Sequence, residues 1–284
     1  MLYDYIISNY KEGEPIFFSD IFIEGVSRSA VNQQMKSLCN KGLIKKYDKG
    51  IYYIPKKTML KATVGPSADM VARYRFVTKG EEIFNMVTHI VGGAIGIAAL
   101  VLCIIFCHDG YGLFSGIVYG ISMILLYTMS AIYHGLSPKL KAKKVFQIMD
   151  HCSIFVLIAG TYTPVLLCSI REVDAKWAWI LFAVIWIMTV IGITLNAIDI
   201  KKYQTFSMIC YLVMGWCIIF KINLLPQAIG MNGIWLLVSG GLAYTIGVIF
   251  YVLQNKIKYM HSIWHLWILV GSILHFLCII LYVL

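Results

Sequence analysis

From about residue 84 to the last residue, apolar stretches long enough to cross the hydrocarbon of a bilayer as helices recur with only short polar breaks between them. They lie near Phe84–Cys107, Tyr111–Gly135, Val145–Ile170, Trp177–Ile198, Tyr203–Lys221, Gly230–Gln254 and His261–Leu284. A helix of about 20 apolar residues spans roughly 30 Å, so each stretch is of spanning length. With 60% of its residues hydrophobic and 13% charged, the chain is too apolar for an ordinary soluble domain. The expected fold is mainly α: a seven-transmembrane helix bundle over residues 81–284, a small cytoplasmic domain over 1–60, and a linker over 61–80. The chain does not open on a short apolar stretch with a small-residue cleavage site, so residues 1–80 do not read as a secretion signal and are expected to stay in the cytoplasm.

Charge in the loops sets the expected orientation. The loops after the even-numbered stretches carry Lys139, Lys141, Lys143 and Lys144, then Lys201 and Lys202, then Lys256 and Lys258. The loops after stretches one, three and five hold few cations, and Glu172 and Asp174 offset Arg171 and Lys176. Positive loops favour the cytoplasmic side, which places the amino terminus inside and the carboxyl terminus outside a cell membrane. The eight cysteines lie mostly within apolar stretches without metal-finger spacing and read as reduced packing residues.

Residues 1–60 follow a different pattern, with mixed charge and turn residues at Gly13, Pro15, Gly25, Gly42 and Gly50. A first helix is expected in MLYDYIISNYK and a short second one in FSDIFIEG. Ser27 can cap a third, in which Val31, Met35 and Leu38 share the buried face, and LIKKYDKGIYYIP reads as a β-hairpin turning at Asp48, Lys49 and Gly50. Three helices and a basic hairpin make the order of a winged helix. In that arrangement Arg28, Asn32 and Lys36 can enter a major groove while Lys45, Lys46 and Lys49 meet phosphates. The plainer alternative is a solvated basic face or a protein-binding domain. The segment from Ser27 to Leu60 also resembles the amino-terminal winged-helix domain of abortive-infection-type antitoxins, which implies DNA-binding ancestry.

Ionisable side chains inside a spanning helix cost on the order of 3 kcal/mol, so each needs a partner or a purpose. His261 and His265 are spaced i, i+4 at the start of the last stretch, which puts both imidazoles on one helix face. With the amino terminus inside, His134 ends stretch two, Asp150 begins stretch three, and Glu82, Asn85 and His89 begin stretch one, all in the cytoplasmic leaflet. Two or three histidines plus a carboxylate at one depth fit a tetrahedral zinc site with an open or water-filled fourth position. The expected roles are His134, His261 and His265 as ligands, and Asp150 either ligating through water or acting as general base. Ser130 is expected to hold that water or stabilise an oxyanion, and Glu82, Asn85 and His89 to support the ligands from behind. The bland alternative is an interhelical hydrogen-bond cluster. His275 reads as a core hydrogen-bonder, and His151 is left out of the ligand set.

The motifs GEEIFNMVTH, SAIYH, MDHCSIFVLIAGTYTP and HSIWHLWILVGSILHF, in that order, resemble the hemolysin III family, the bacterial branch of the progestin and adipoQ receptor proteins. The resemblance implies a seven-helix fold with zinc held near the cytoplasmic face by His134, His261 and His265. Relatives with similar zinc sites look like lipid amidases of the ceramidase type, which implies hydrolysis of a lipid amide or ester. The family name instead implies cytolysis, and the amino-terminal domain, a departure from the usual short bacterial members, suggests a membrane-tethered sensor whose head contacts DNA.

Overall fold

The computed structural model describes residues 2–57, 63–64, 79–137, 140–254 and 257–284. Most of the expected linker over 61–80, with Lys139 and Lys256 of the expected topogenic loops, falls outside them. The chain divides into two compact units, Met1–Val77 and Thr78–Leu284.

The first unit contains α1 (Leu2–Asn9), β1 (Pro15–Phe17), α2 (Arg28–Asn40), β2 (Lys45–Asp48) and β3 (Ile51–Tyr53). β3 lies between β1 and β2 in an antiparallel sheet. Leu2 and Ile6 on α1, Ile16 on β1 and Val31, Met35 and Leu38 on α2 form one apolar core, so the spacing read from the sequence is the buried face of α2. Ser27 caps α2 by accepting from the Ala30 N–H at 3.2 Å. The hairpin turns where expected, with Gly50 at φ +75°. FSDIFIEG, expected as a helix, makes only a 3-10 turn at Phe18–Asp20 directly after β1. Pairing of Pro15–Phe17 with β3 commits the backbone just before it to the sheet.

The second unit is helical. Its elements are α3 (Lys79–Phe106), α4 (Gly110–Gly135), α5 (Lys141–Pro164), α6 (Ala175–Trp216), α7 (Leu225–Leu253) and α8 (Met260–Tyr282). A π-helical turn at Val165–Ile170 carries α5 past Pro164, whose ring cannot accommodate ordinary α-helical bonding, and one more helical turn ends at Val173. Asp109 and Asp174 cap α4 and α6 by accepting the N–H groups of Gly112 and Trp177.

Five helical runs are long and apolar enough to cross a membrane: Gly80–Phe106, Gly110–Gly135, Lys141–Val173, Ala175–Leu253 and Met260–Tyr282. The fourth run is 79 residues long, which as one straight helix would extend about 118 Å, several bilayer thicknesses. Its backbone leaves helical geometry at Asp199 (φ −157°, ψ 95°), Lys221 and Gly230 (φ 64°, ψ 173°). Asp199 then caps the continuing helix by accepting the N–H groups of Lys201 and Lys202.

Packing follows chain order and then closes. α3 lies along α4, α4 along α5, α5 along α6 and α7 along α8, and α8 returns to α3. Large apolar side chains such as Ile90, Ile97, Val190 and Leu242 remain exposed along the helices. A mainly apolar exterior of this kind is stabilised by lipid, not by water. Close approach of α3 and α4 depends on Gly120, where a Cβ would lie 2.6 Å from the Leu100 Cα. Because that contact is with backbone, Gly120→Ala is expected to cost about 1–3 kcal/mol through overpacking. Gly215→Ala, in open space, should cost nothing. Thermal unfolding of the detergent-solubilised variants measures both, and equal melting temperatures would show that the helix pair yields freely.

Candidate metal centre

One end of the bundle gathers the titratable residues. α4 ends there with His134, α3 and α8 begin there, and Asp150 lies in the first half of α5. His134, His261 and His265 form a buried or half-buried group in which one ligand nitrogen from each lies within 4.8 Å of the others. The His261 Nε2 is 3.4 Å from the His134 Nε2 and 2.9 Å from the His265 Nε2. The i, i+4 spacing of His261 and His265 puts both on one face of the first turns of α8, and closure of α8 on α3 and α4 carries them to His134.

Hydrogen bonds behind the rings decide which nitrogens carry protons. The Glu82 Oε2 sits 2.6 Å from the His134 Nδ1. A carboxylate only accepts, so His134 holds its proton on Nδ1 and turns a lone pair outward from Nε2. The Gln254 carboxamide oxygen does the same for the Nδ1–H of His261. Two lone pairs therefore face each other between His134 and His261, an arrangement that repels when both rings are neutral and no cation lies between them. The donor set fits a metal ion, and these three histidines can hold one.

Glu82 is itself held by the Lys143 ammonium, 3.0 Å from its Oε1, and that ammonium also donates to the Leu136 carbonyl. Asp150 is buried outside the triad and bonded by the Ser130 hydroxyl. His89 packs its ring 3.9 Å from that of His265 and 5.1 Å from that of Tyr127. Asn85 is buried on the same face of α3. The expected ligands, Ser130 with Asp150, and the α3 residues thus share one region. His151 instead donates its Nδ1–H to the Gln147 carbonyl, and His275 its Nε2–H to the Leu237 carbonyl.

Three residues at the centre went unnoticed in the sequence. Lys143 reads there only as a topogenic charge. Gln254 reads as the end of a span, and Glu81, which accepts the Tyr259 N–H at 2.7 Å, carries no assigned role in the sequence reading. Gln254 lies seven positions before His261, a separation that in the sequence gives no sign of the contact between their side chains.

Beside this centre opens a cavity of about 170 Å³, lined chiefly by apolar side chains of α5, the second half of α6, α7 and α8. Asp150 and His89 line it, as does Val165 on the chain continuing from α5. The rise from Asp150 to Val165 is about 22 Å along a helix.

A family model described as haemolysin-III related matches residues 77–276. The chain belongs to the haemolysin-III related family. The match begins where the second structural unit begins, so the family domain is the helical bundle. Hemolysin-3 of Bacillus cereus is 40% identical over 208 residues, covering 72% of this chain and 92% of that protein. The Hemolysin-3 homolog of Bacillus subtilis (strain 168) is 38% identical over 205 residues, 71% and 94% of the two chains. The human monocyte to macrophage differentiation factor is 27% identical over 169 residues, 57% and 67% of the two. This haemolysin-III related chain is therefore a membrane protein with several candidate spans and a histidine triad.

In the first unit, the Arg28 guanidinium donates to the carbonyls of Phe18, Ser19 and Ile21 and so ties the 3-10 turn to α2. Asn32 and Lys36 are exposed on α2, as are Lys45 and Lys46 on β2 and Lys49 in the hairpin turn.

Glu82→Ala removes the acceptor that orients His134. A loss of about 10–100-fold in divalent-metal affinity is expected, because such partners fix ring orientation and ligand basicity. Chelator competition on the purified protein measures it, and unchanged affinity would deny Glu82 that role.

Proposed function

We propose that the protein is a zinc-dependent membrane hydrolase that cleaves an amide or ester bond in a lipid. The observation that carries this reading is the convergence of three imidazole nitrogens beside a long, mainly apolar cavity. Zinc is favoured by the donor set, since three histidines with a free fourth position suit its tetrahedral preference. Bonds of about 2.0–2.1 Å set tetrahedral ligand nitrogens about 3.4 Å apart; His134 and His261 stand at that separation, and His261 and His265 are closer, at 2.9 Å. The cavity's chiefly apolar lining, which runs from Asp150 on α5 to Val165 just beyond its end, suits an aliphatic chain.

The breaks at Asp199 and at Lys221 to Gly230 support division of the 79-residue run into three spans, seven in all, and the lysines of the loops after the even-numbered spans favour a cytoplasmic amino terminus. The triad then lies in the cytoplasmic leaflet, close to the headgroups where a lipid amide or ester sits.

Bound zinc would polarise the carbonyl and acidify the attacking water. Asp150 takes the proton from that water as its oxygen adds to the carbonyl carbon, and returns it to the leaving nitrogen or oxygen as the carbon–heteroatom bond breaks. The Ser130 hydroxyl fixes the carboxylate's direction, and the apolar cavity aligns the chain so that the carbonyl stays at the centre.

Names of the two Bacillus relatives suggest cytolysis. A water-filled pore needs a polar path through the bundle, and the largely apolar cavity favours a lipid tail instead. The exposed Asn32, Lys36, Lys45, Lys46 and Lys49 favour a second role for the first unit, as a winged helix that contacts nucleic acid while Arg28 holds its turn.

His265→Ala is expected to lose metal and turnover together. Asp150→Asn should keep metal and lose about 10²–10⁴-fold in turnover, the usual contribution of a general base. Metal analysis beside cleavage of a panel of lipid amides and esters tests both, and undiminished cleavage by either variant would exclude the mechanism. Binding of duplex DNA by the full chain should weaken steeply with salt if the basic residues meet phosphates; binding indifferent to salt would retire that role.

A further inference from the structure

Glu81, Asn85 and His89 follow one another at i, i+4 and i+8, so they lie along one face of α3. Contacts at both ends of this row show what it faces. Glu81 accepts the Tyr259 N–H at the start of α8, and His89 packs on His265. Asn85 is therefore bracketed against α8 between Tyr259 and His265, the stretch that carries Ser262. All four residues of the inner seam are buried, with Asn85 1%, His89 3%, Ser262 5% and His265 0% exposed.

Several polar atoms in this seam have no hydrogen-bond partner among the described residues: the Asn85 Oδ1, the Ser262 Oγ, the His265 Nδ1 and both nitrogens of His89. A buried unsatisfied polar group costs about 1–3 kcal/mol, so this concentration in two facing helices calls for a shared partner. The chemistry of the set is complementary. A His265 that offers its Nε2 lone pair to a metal carries a proton on Nδ1, a donor without an acceptor. The Asn85 carboxamide oxygen is an acceptor without a donor.

His134 and His261 each hand their Nδ1–H to a side-chain oxygen, from Glu82 and Gln254. His265 is the ligand that lacks such a contact. We propose that Asn85 is the positioning residue of His265, accepting its Nδ1–H through one bridging water that Ser262 shares. The water accepts from the His265 Nδ1–H and donates to the Asn85 Oδ1 and the Ser262 Oγ. Each ligand then has one fixed acceptor behind it, two of them from the first two turns of α3. The inference rests on the reading of the triad as a metal centre.

The test uses the full chain in detergent, stripped of metal and titrated with zinc against a chromophoric chelator, and with cobalt(II) followed by visible absorption. Asn85→Leu, close in volume but without an acceptor, is expected to bind zinc about 10–100-fold more weakly and to alter the cobalt bands, which report ligand orientation. Asn85→Asp restores an acceptor and should recover both the affinity and the parent spectrum. Ser262→Ala should show a smaller loss in the same direction, and it carries the test if the leucine variant does not fold. Parent-like affinity and spectrum in Asn85→Leu would overturn the proposal. So would equal weakness in Asn85→Leu and Asn85→Asp, which would make Asn85 a packing residue, or no loss in Ser262→Ala. A parent chain that binds neither zinc nor cobalt would overturn the metal centre itself, an outcome distinct from these.

Discussion

Closure of the last helix onto the first is the contact on which the rest of the bundle's chemistry depends. Glu81 on α3 holds the backbone at Tyr259, the one non-glycine residue with positive φ among those described. That residue opens α8, and the next turns carry His261 and His265. A strained left-handed residue persists only when its surroundings hold it there. Here a buried carboxylate supplies the acceptor, so the start of α8 is set by a group nearly 180 positions earlier in the chain. His134 arrives from the opposite side because α4 packs along α3.

The first turns of α3 hold α4 and α8 by different means. Glu82 reaches the His134 ring on α4 and the Lys143 ammonium on α5, while its neighbour Glu81 reaches a main-chain N–H on α8. Adjacent residues on a helix point about 100° apart, which allows two neighbouring acids to serve two different helices. Lys143 offsets the Glu82 charge, which lowers the cost of keeping a carboxylate beside imidazoles in apolar surroundings.

Away from the triad, buried side chains such as Thr161, Thr163 and Thr189 bond to carbonyls of their own helices. Such local bonds satisfy a polar group within its own helix. Thr163 and Thr189 also join α5 to α6, Thr163 by accepting the Trp186 indole N–H and Thr189 through its hydroxyl, 3.3 Å from the Phe155 carbonyl oxygen. Polar groups link helices along the length of the bundle: at the triad, through the Tyr127, Ser272 and Tyr244 hydroxyls further along α8, and between α5 and α6 where the Tyr162 hydroxyl donates to the Gly215 carbonyl. The cavity beside the triad is nonetheless lined chiefly by apolar side chains.

Much of this was legible in the residues alone. Apolar length marked the helices, because hydrocarbon demands about 20 apolar residues per crossing, and Ser27 with Val31, Met35 and Leu38 marked α2 and its buried face. The pair His261 and His265 announced itself by i, i+4 spacing, and the polar residues at the ends of the other stretches placed His134, Asp150 and Glu82 at one depth. Sequence could not distinguish Lys143 from a merely topogenic charge, or reveal Gln254 and Glu81 as partners of α8. It also read FSDIFIEG as a helix where strand pairing leaves only one 3-10 turn. Periodicity reports which face of one element is buried, whereas a hydrogen bond between elements depends on where two backbones cross. That crossing is decided only when all the helices pack together.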